Sequence, residues 1–186
     1  MIVFSEKSQP NIDSLCSSRQ CDQICLPLAL QNTARCACAM GELDNLNGQT
    51  CKVPREYLIY SMENEIRSIS MQSSSSTPWR PMTGLSKAIG IDFDYRDNKI
   101  IFTDIVDKKI AWFNVASENQ VVEDLIKQNV SLAAGRQWVV QPEGVAYDWV
   151  SDTVYYTDNG LNQVVSYKIS TRMRYLYYIS FVYSSK

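Results

Sequence analysis

The sequence predicts an all-β protein in two parts, a small disulfide-rich module followed by a larger region built from sheets. Three observations carry this. All six cysteines fall between Cys16 and Cys51 of a 186-residue chain. Beyond them, short apolar and β-branched runs recur between turn signals, as strands do. Two stretches, Gly90–Asp104 and Gly144–Asp158, are copies of one pattern.

The cysteines come first: Cys16, Cys21, Cys25, Cys36, Cys38 and Cys51, spaced C-x4-C-x3-C-x10-C-x-C-x12-C. So short a span cannot bury enough core to fold alone, and an even set of cysteines supplies the missing constraint as disulfides. That places the chain in an oxidising compartment. Zinc is the rival reading. It favours wider knuckles than Cys36-x-Cys38, usually with histidine, and the chain has no histidine.

Charge and hydropathy exclude other classes. The chain has 18 basic and 20 acidic residues and no basic run, which argues against nucleic acid as a partner. The apolar start Met1–Phe4 ends at Ser5-Glu6-Lys7, short of a signal peptide. The late apolar run Tyr175–Tyr183 is broken by Ser180 and is too short to span a bilayer. A chain marked for secretion without a means of secretion is expected to be a piece of a larger extracellular protein. Membrane attachment would then come only through parts not in this chain.

Strands are predicted at Tyr57–Tyr60, Ala88–Phe93, Lys99–Phe102, Ile110–Phe113, Gly144–Tyr147, Thr153–Tyr156 and Gln163–Tyr167. Asn159-Gly160 predicts a tight hairpin, since both residues tolerate positive φ. Residues 117–134 conflict with this pattern. A Ser117…Gln120 capping box, apolar Val121, Val122, Leu125 and Ile126, and a stop at Gly135 favour a helix there. The serines at 73–76 read as a loop.

Each repeat copy is a strand ending in Asp, a polar turn, and a strand ending aromatic-Thr-Asp. The turn from Asp94 to Lys99 is expected to be the looser of the two. Phe102 and Tyr156 offer large apolar areas for packing between repeats. Thr103 and Thr157 suit a strand, and Asp104 and Asp158 can accept backbone N–H bonds where the chain turns.

The cysteine spacing resembles the epidermal-growth-factor-like (EGF-like) module. That resemblance implies the pairs Cys16–Cys25, Cys21–Cys36 and Cys38–Cys51; spacing alone leaves other pairings open. Some such modules bind calcium through acidic residues just before the first cysteine. Here Ser14 and Leu15 precede Cys16, Ile12 stands where Asp or Asn would be needed, and Asn11 and Asp13 are one place out of step. No calcium site, and no cofactor, is expected.

The repeat resembles the Tyr-Trp-Thr-Asp (YWTD, class B) repeat of the low-density lipoprotein receptor family. Ile101-Phe-Thr-Asp104 and Tyr155-Tyr-Thr-Asp158 are copies without the Trp. Pro142–Trp149 looks like the strand that opens each repeat, and Tyr57–Ile69 like the entry into a propeller. Met1–Phe4 with Gln9-Pro10 looks like the closing strand of a preceding propeller. The resemblance runs from Met1 to about Arg174 and departs at 118–141 and in the tail 175–186. It implies residues 1–12 as that closing strand and linker, 13–52 as the EGF-like module, and 53–186 as an incomplete six-bladed β-propeller of about two and a half blades. Blades are expected at Tyr57–Met82, Ala88–Gln141 and Gly144 onward, the first without its innermost strand.

Functionally, the resemblance implies an extracellular, non-enzymatic segment of an endocytic or signalling receptor that binds protein ligands, either lipoproteins or secreted signalling proteins, and packs against further blades. Its loops carry the candidates Glu63, Asn64, Ile105, Val106, Asp107, Lys108, Asn159, Leu161 and Asn162. The alternative for each is an ordinary solvated loop. Matrix adhesion proteins share both modules and form a second reading. A propeller hydrolase is a third: Asp92 and Asp94 lie at strand spacing on one face, though no nucleophile has a visible partner and turn capping explains both. Asn129-Val130-Ser131 is a glycosylation sequon, so Asn129 is expected to carry glycan if it lies on a surface loop.

Overall fold

The computed structural model describes residues 13–28, 31–72, 76–117, 119–127 and 139–178. Residues 1–12, read above as a closing strand, lie outside these, as do the sequon at Asn129 and the tail from 179. The described residues fall into two compact units, one within Met1–Ile59 and Ser68–Arg80, the other within Tyr60–Arg67 and Pro81–Lys186.

In the first unit a single-turn helix α1 (Asp13–Ser17) leads to the hairpin β1 (Ile24–Leu28) and β2 (Thr33–Ala37), where Cys25 faces Cys36 across the ladder. A second hairpin pairs β3 (Glu42–Leu43) with β4 (Cys51–Lys52). Three disulfides join Cys16 to Cys25, Cys21 to Cys36 and Cys38 to Cys51. They stand where a larger domain would have a core, each worth roughly 3 kcal/mol for a loop of about 15 residues in the chain-entropy model. Polar side chains secure the loops between them. Asp22 accepts from the Cys51 amide at 3.0 Å, and Gln23 Oε1 from the Ala39 and Met40 amides at 2.8 and 3.1 Å. Gly41 has φ +80°, and an added Cβ would lie 2.4 Å from the Lys52 carbonyl oxygen, so this corner requires glycine. Residues 68–80 pack on this unit: the Gly41 amide donates to Thr77 O at 2.7 Å, and Ser70 Oγ donates to Glu42.

Three antiparallel sheets follow. The first has order β5 (Tyr57–Met62), β6 (Glu65–Ser70), β7 (Met82–Thr83). The second runs β8 (Ala88–Asp94), β9 (Lys99–Asp104), β10 (Lys109–Asn114), β11 (Glu123–Lys127) in order. The third repeats this with β12 (Pro142–Asp148), β13 (Thr153–Asp158), β14 (Gln163–Lys168) and β15 (Met173–Tyr178). Meandering sheets of this form are propeller blades.

Alternation explains how blades stack. On β9, Ile101 and Thr103 face the third blade, while Ile100, Phe102 and Asp104 face the other way; all five are buried. The core between the second and third blades gathers Ile101, Ile110, Ile126, Val139, Val154, Tyr156, Val165 and Tyr167. At its edge Arg96 stacks over Trp149, 4.7 Å from the ring centre, and donates to the Trp149 carbonyl at 2.6 Å. Phe102 and Phe113 meet edge-on on the opposite face.

Four expectations are corrected. Residues 123–127 are strand, not helix. The apolar positions at helical spacing serve pairing instead: Ile126 lies opposite Ile110 and is buried, while Val121 is exposed. Tertiary pairing overrides local propensity here. The Asn159-Gly160 hairpin is not a two-residue turn. Asn159–Asn162 bridge β13 to β14, and the left-handed residue is Asn162, φ 50°. Gly160 is required by close approach, since a Cβ there would lie 2.6 Å from Val140 Cγ1. The turn after Asp94 is not the looser one. Residues 95–98 and 149–152 match in length, each ending left-handed, at Asn98 and Asp152. Tyr175–Tyr178 do not depart from the repeat, because they complete β15.

Candidate protein-binding face

The corners of the repeat are built by its Thr-Asp ends. Asp104 is fully buried, and its carboxylate accepts from four backbone amides. Two belong to the segment entering the blade, Ser86 at 3.0 Å and Lys87 at 3.1 Å. Two belong to its own turn, Val106 at 3.1 Å and Asp107 at 3.0 Å. Asp158 repeats this with Val140, Gln141 and Leu161 at 2.8, 3.0 and 3.2 Å. A buried carboxylate is tolerable when its oxygens are met by N–H donors, and such charge-assisted bonds are the strong ones. Each Asp thus fixes two loops at once.

Thr103 and Thr157 do a related job on the strand before. Each accepts the amide of the repeat glycine, Gly90 or Gly144, at 2.9 Å. Thr103 also donates to Glu143 O at 2.8 Å, tying the second blade to the third.

The candidate loops sit beside these corners. Glu63-Asn64 joins β5 to β6, residues 105–108 join β9 to β10, and residues 159–162 join β13 to β14. These are equivalent turns of successive blades, so they share one end of the second unit. Backbone bonds knit them together. Ala88 donates to Glu63 O at 2.6 Å, Leu85 to Asn64 O at 3.0 Å, Ile105 to Lys87 O at 3.1 Å and Asn159 to Gln141 O at 2.9 Å.

Their side chains differ in freedom. Glu63, Asn64, Val106, Asn159 and Asn162 are exposed; Ile105, Lys108 and Leu161 are half-buried. Lys108 and Asn162 both hold positive φ, at 52° and 50°. Asp107 accepts from Ser86 Oγ at 2.8 Å and pairs with Lys109 at 3.3 Å. The Ser86 bond, with help from Lys109, holds the Asp107 carboxyl below its ordinary range despite some burial. Burial alone would lower Lys109, but Asp124 and Asp107 outweigh it and raise it. Glu63 reaches Lys87 at 4.0 Å in an exposed pair. The face is therefore rigid in backbone, mixed in charge and apolar at Val106. Such a surface can meet another protein; it is not an anion trap.

Asp92 and Asp94 are both engaged with backbone amides. Asp92 accepts from the Phe93 amide at 2.8 Å and from the Tyr147 amide of the next blade at 2.6 Å. Asp94 caps its own turn through the Arg96 amide at 3.0 Å. Burial, reinforced by Asp152 at 3.1 Å, pushes the neighbouring Tyr147 phenol up to about 12.

Sequence reasoning missed Lys87, Val140, Gln141 and Glu143, which act through backbone groups that residue type does not disclose, and Ser86, which uses both its amide and its hydroxyl. The shared offset of Gly90 and Gly144 within the two copies was the signal available for the contact at Glu143.

No family model matches the chain. Over 140 residues the chain is 31% identical to low-density lipoprotein receptor-related protein 5 of Homo sapiens, a match that covers 73% of this chain and 8% of that protein. Among solved structures, a nidogen/laminin complex aligns with TM-score 0.49 and 20% identity, over 64% of this chain and 43% of that one. An auxiliary nutrient binding protein from Bacteroides thetaiotaomicron aligns with TM-score 0.48 and 18% identity, over 67% and 28%. A putative 6-phosphogluconolactonase from Bacteroides uniformis aligns with TM-score 0.42 and 13% identity, over 64% and 35%. The fold, its disulfides and its corners define an EGF-like module followed by part of a YWTD-type propeller. The chain belongs to the low-density lipoprotein receptor-related family.

Proposed function

We propose that this chain is a ligand-binding segment of a lipoprotein-receptor-related receptor, on the extracellular side of the plasma or endosomal membrane. Its partners are protein ligands, lipoproteins or secreted signalling proteins. Residues 13–52 serve as the module and 53–186 as the propeller part. Binding runs through Glu63, Asn64, residues 105–108, Asn159, Leu161 and Asn162. One observation carries this most directly: equivalent turns of three blades share one end, with their backbones fixed by Asp104, Asp158 and the bonds from Leu85, Ala88 and Ile105. Preorganised loops lose little entropy on binding. The likeness to the receptor-related protein favours a receptor over a matrix setting. An enzymatic role gains no support, because the paired carboxylates are engaged as caps.

The test immobilises the full chain and titrates it with purified low-density lipoprotein particles and with secreted signalling proteins. At least one is expected to bind, and the double substitution Val106→Asp, Asn159→Ala is expected to weaken it by roughly tenfold or more, as loss of central contacts does. Binding indifferent to these loops would contradict the reading.

A further inference from the structure

Between Asp13 and Lys52 the chain has three basic side chains, Arg19, Arg35 and Lys52, and all three line one cleft of about 660 Å³. Of the four acidic residues in the same stretch, Asp13, Asp22, Glu42 and Asp44, only Glu42 lines it. The cleft lies wholly within the first unit. Its walls are braced. Cys36 and Cys38 line it, and their disulfides run to Cys21 and Cys51. The backbone of Arg19 sits in a turn, its amide donating to Cys16 O at 3.0 Å and its carbonyl accepting the Cys21 amide at 2.9 Å. Arg35 faces outward on β2 between buried Ala34 and Cys36, as strand alternation requires.

The acidic side chains nearby are already engaged. Ser70 Oγ donates to Glu42, Asp22 accepts the Cys51 amide at 3.0 Å, and Asp44 accepts the Leu46 amide at 3.0 Å. The arginines are not. Among the described residues neither Arg19 nor Arg35 has an ion pair or a side-chain hydrogen bond, and both are exposed. Lys52 reaches Asp44 at 3.4 Å, an exposed pair that contributes little and is readily given up. Three cations gathered on one cavity raise the local concentration of anions there. The fitting ligand carries more than one negative group.

We infer that this cleft binds a sulfated sugar chain. Guanidinium forks meet oxyanions through paired N–H bonds, and two of them with an ammonium suit a polymer that carries sulfates and carboxylates at short intervals. The rest of the lining favours sugar over an acidic peptide. Asn45 and Gln72 offer exposed side-chain amides, which both donate to and accept from sugar hydroxyls. Among the described residues that line the cleft none is aromatic, and besides the cystines the apolar side chains are Ala37 and Leu43, too little to anchor a peptide. Three disulfides place the module in an oxidising compartment, where sulfated polysaccharides are its neighbours. The cleft shares no residue with the candidate loops, so the inference stands apart from the proposed function.

The test titrates the full chain with a fully sulfated heparin hexasaccharide, its desulfated counterpart and an octaglutamate peptide, at about 0.15 M salt. The sulfated sugar is expected to bind, and the other two at least about tenfold more weakly. The double substitution Arg19→Ala, Arg35→Ala should weaken binding by roughly tenfold or more, and Lys168→Ala in the third blade should leave it unchanged. The unsubstituted chain gives a second reading that does not depend on a variant folding. With the hexasaccharide at about ten times its Kd, Arg19 and Arg35 should react about tenfold more slowly with phenylglyoxal, as mass action predicts, and Arg172 of the third blade at its original rate. Four results would overturn the inference: no binding of the sulfated hexasaccharide, equal binding of the desulfated one, undiminished binding by the double variant, or arginines no better protected than Arg172. Octaglutamate held as tightly through the same two arginines would also overturn it, by making an acidic protein segment the occupant.

Discussion

The repeat copies Gly90–Asp104 and Gly144–Asp158 share a backbone plan and differ in what covers them. Both end in a buried Asp that gathers amides from two loops. Both seat a glycine amide on a threonine at 2.9 Å. Yet every residue of β9 after Lys99 is buried, whereas β13 alternates, with Tyr155 and Thr157 exposed. The corner is thus a property of one blade, and the burial of the face is a property of its neighbour. Residues that act at the corner should be equally sensitive in both copies. Residues that act at the face should not.

The sharpest contrast is expected in the strand cores. Ile101→Ala removes a buried side chain beneath the third blade and should cost about 2–5 kcal/mol in chemical denaturation, while Tyr155→Ala at the same position of the other copy should cost less than about 1 kcal/mol. Equal losses would break the comparison. Next come the corners. Asp104→Ala and Asp158→Ala each strand several amides, and each should cost about 3 kcal/mol, with similar values in the two copies. A silent Asp158→Ala would mean that the corner needs a covered face after all. A smaller effect separates the threonines: Thr103→Val should cost about 1–2 kcal/mol by orphaning Gly90 N–H and Glu143 O, and Thr157→Val clearly less.

Acid should treat the copies alike. Asp107 beside the first corner is held low chiefly by Ser86, and Asp148 in the turn of the second chiefly by Ser151. Carboxyls held low in the fold stabilise it above the ordinary carboxylate range, near pH 4, and that stability is lost as pH falls through their lowered values. The chain has no histidine, so its melting temperature is expected to stay level from pH 7.4 to 5.5. A clear drop in that window, seen by scanning calorimetry, would place acid sensing in a carboxylate of this chain.

Much of this was legible in the sequence for a physical reason: features set by residue type at fixed offsets can be read, and features set by partners cannot. The cysteines, the alternating strands and the Thr-Asp ends belong to the first kind. Local signals misled where a neighbour decided the outcome. Ile126 fits a helix until β10 offers it a ladder, and Gly160 reads as a turn glycine although Val140 is what requires it. The candidate loops were placed by analogy with the repeat, and their contacts through Lys87 and Gln141 run through backbone groups without a sequence signature.

The most direct test compares two amides, Gly90 and Gly144, by hydrogen exchange in the intact chain. Their hydrogen bonds to threonine are the same length, 2.9 Å, so bond geometry predicts equal protection. The account predicts that Gly90, covered by Glu143 of the next blade, exchanges at least about tenfold more slowly than Gly144 on the open face. Equal protection would show that the neighbouring blade adds nothing at this strand, and the distinction between corner and face would fall.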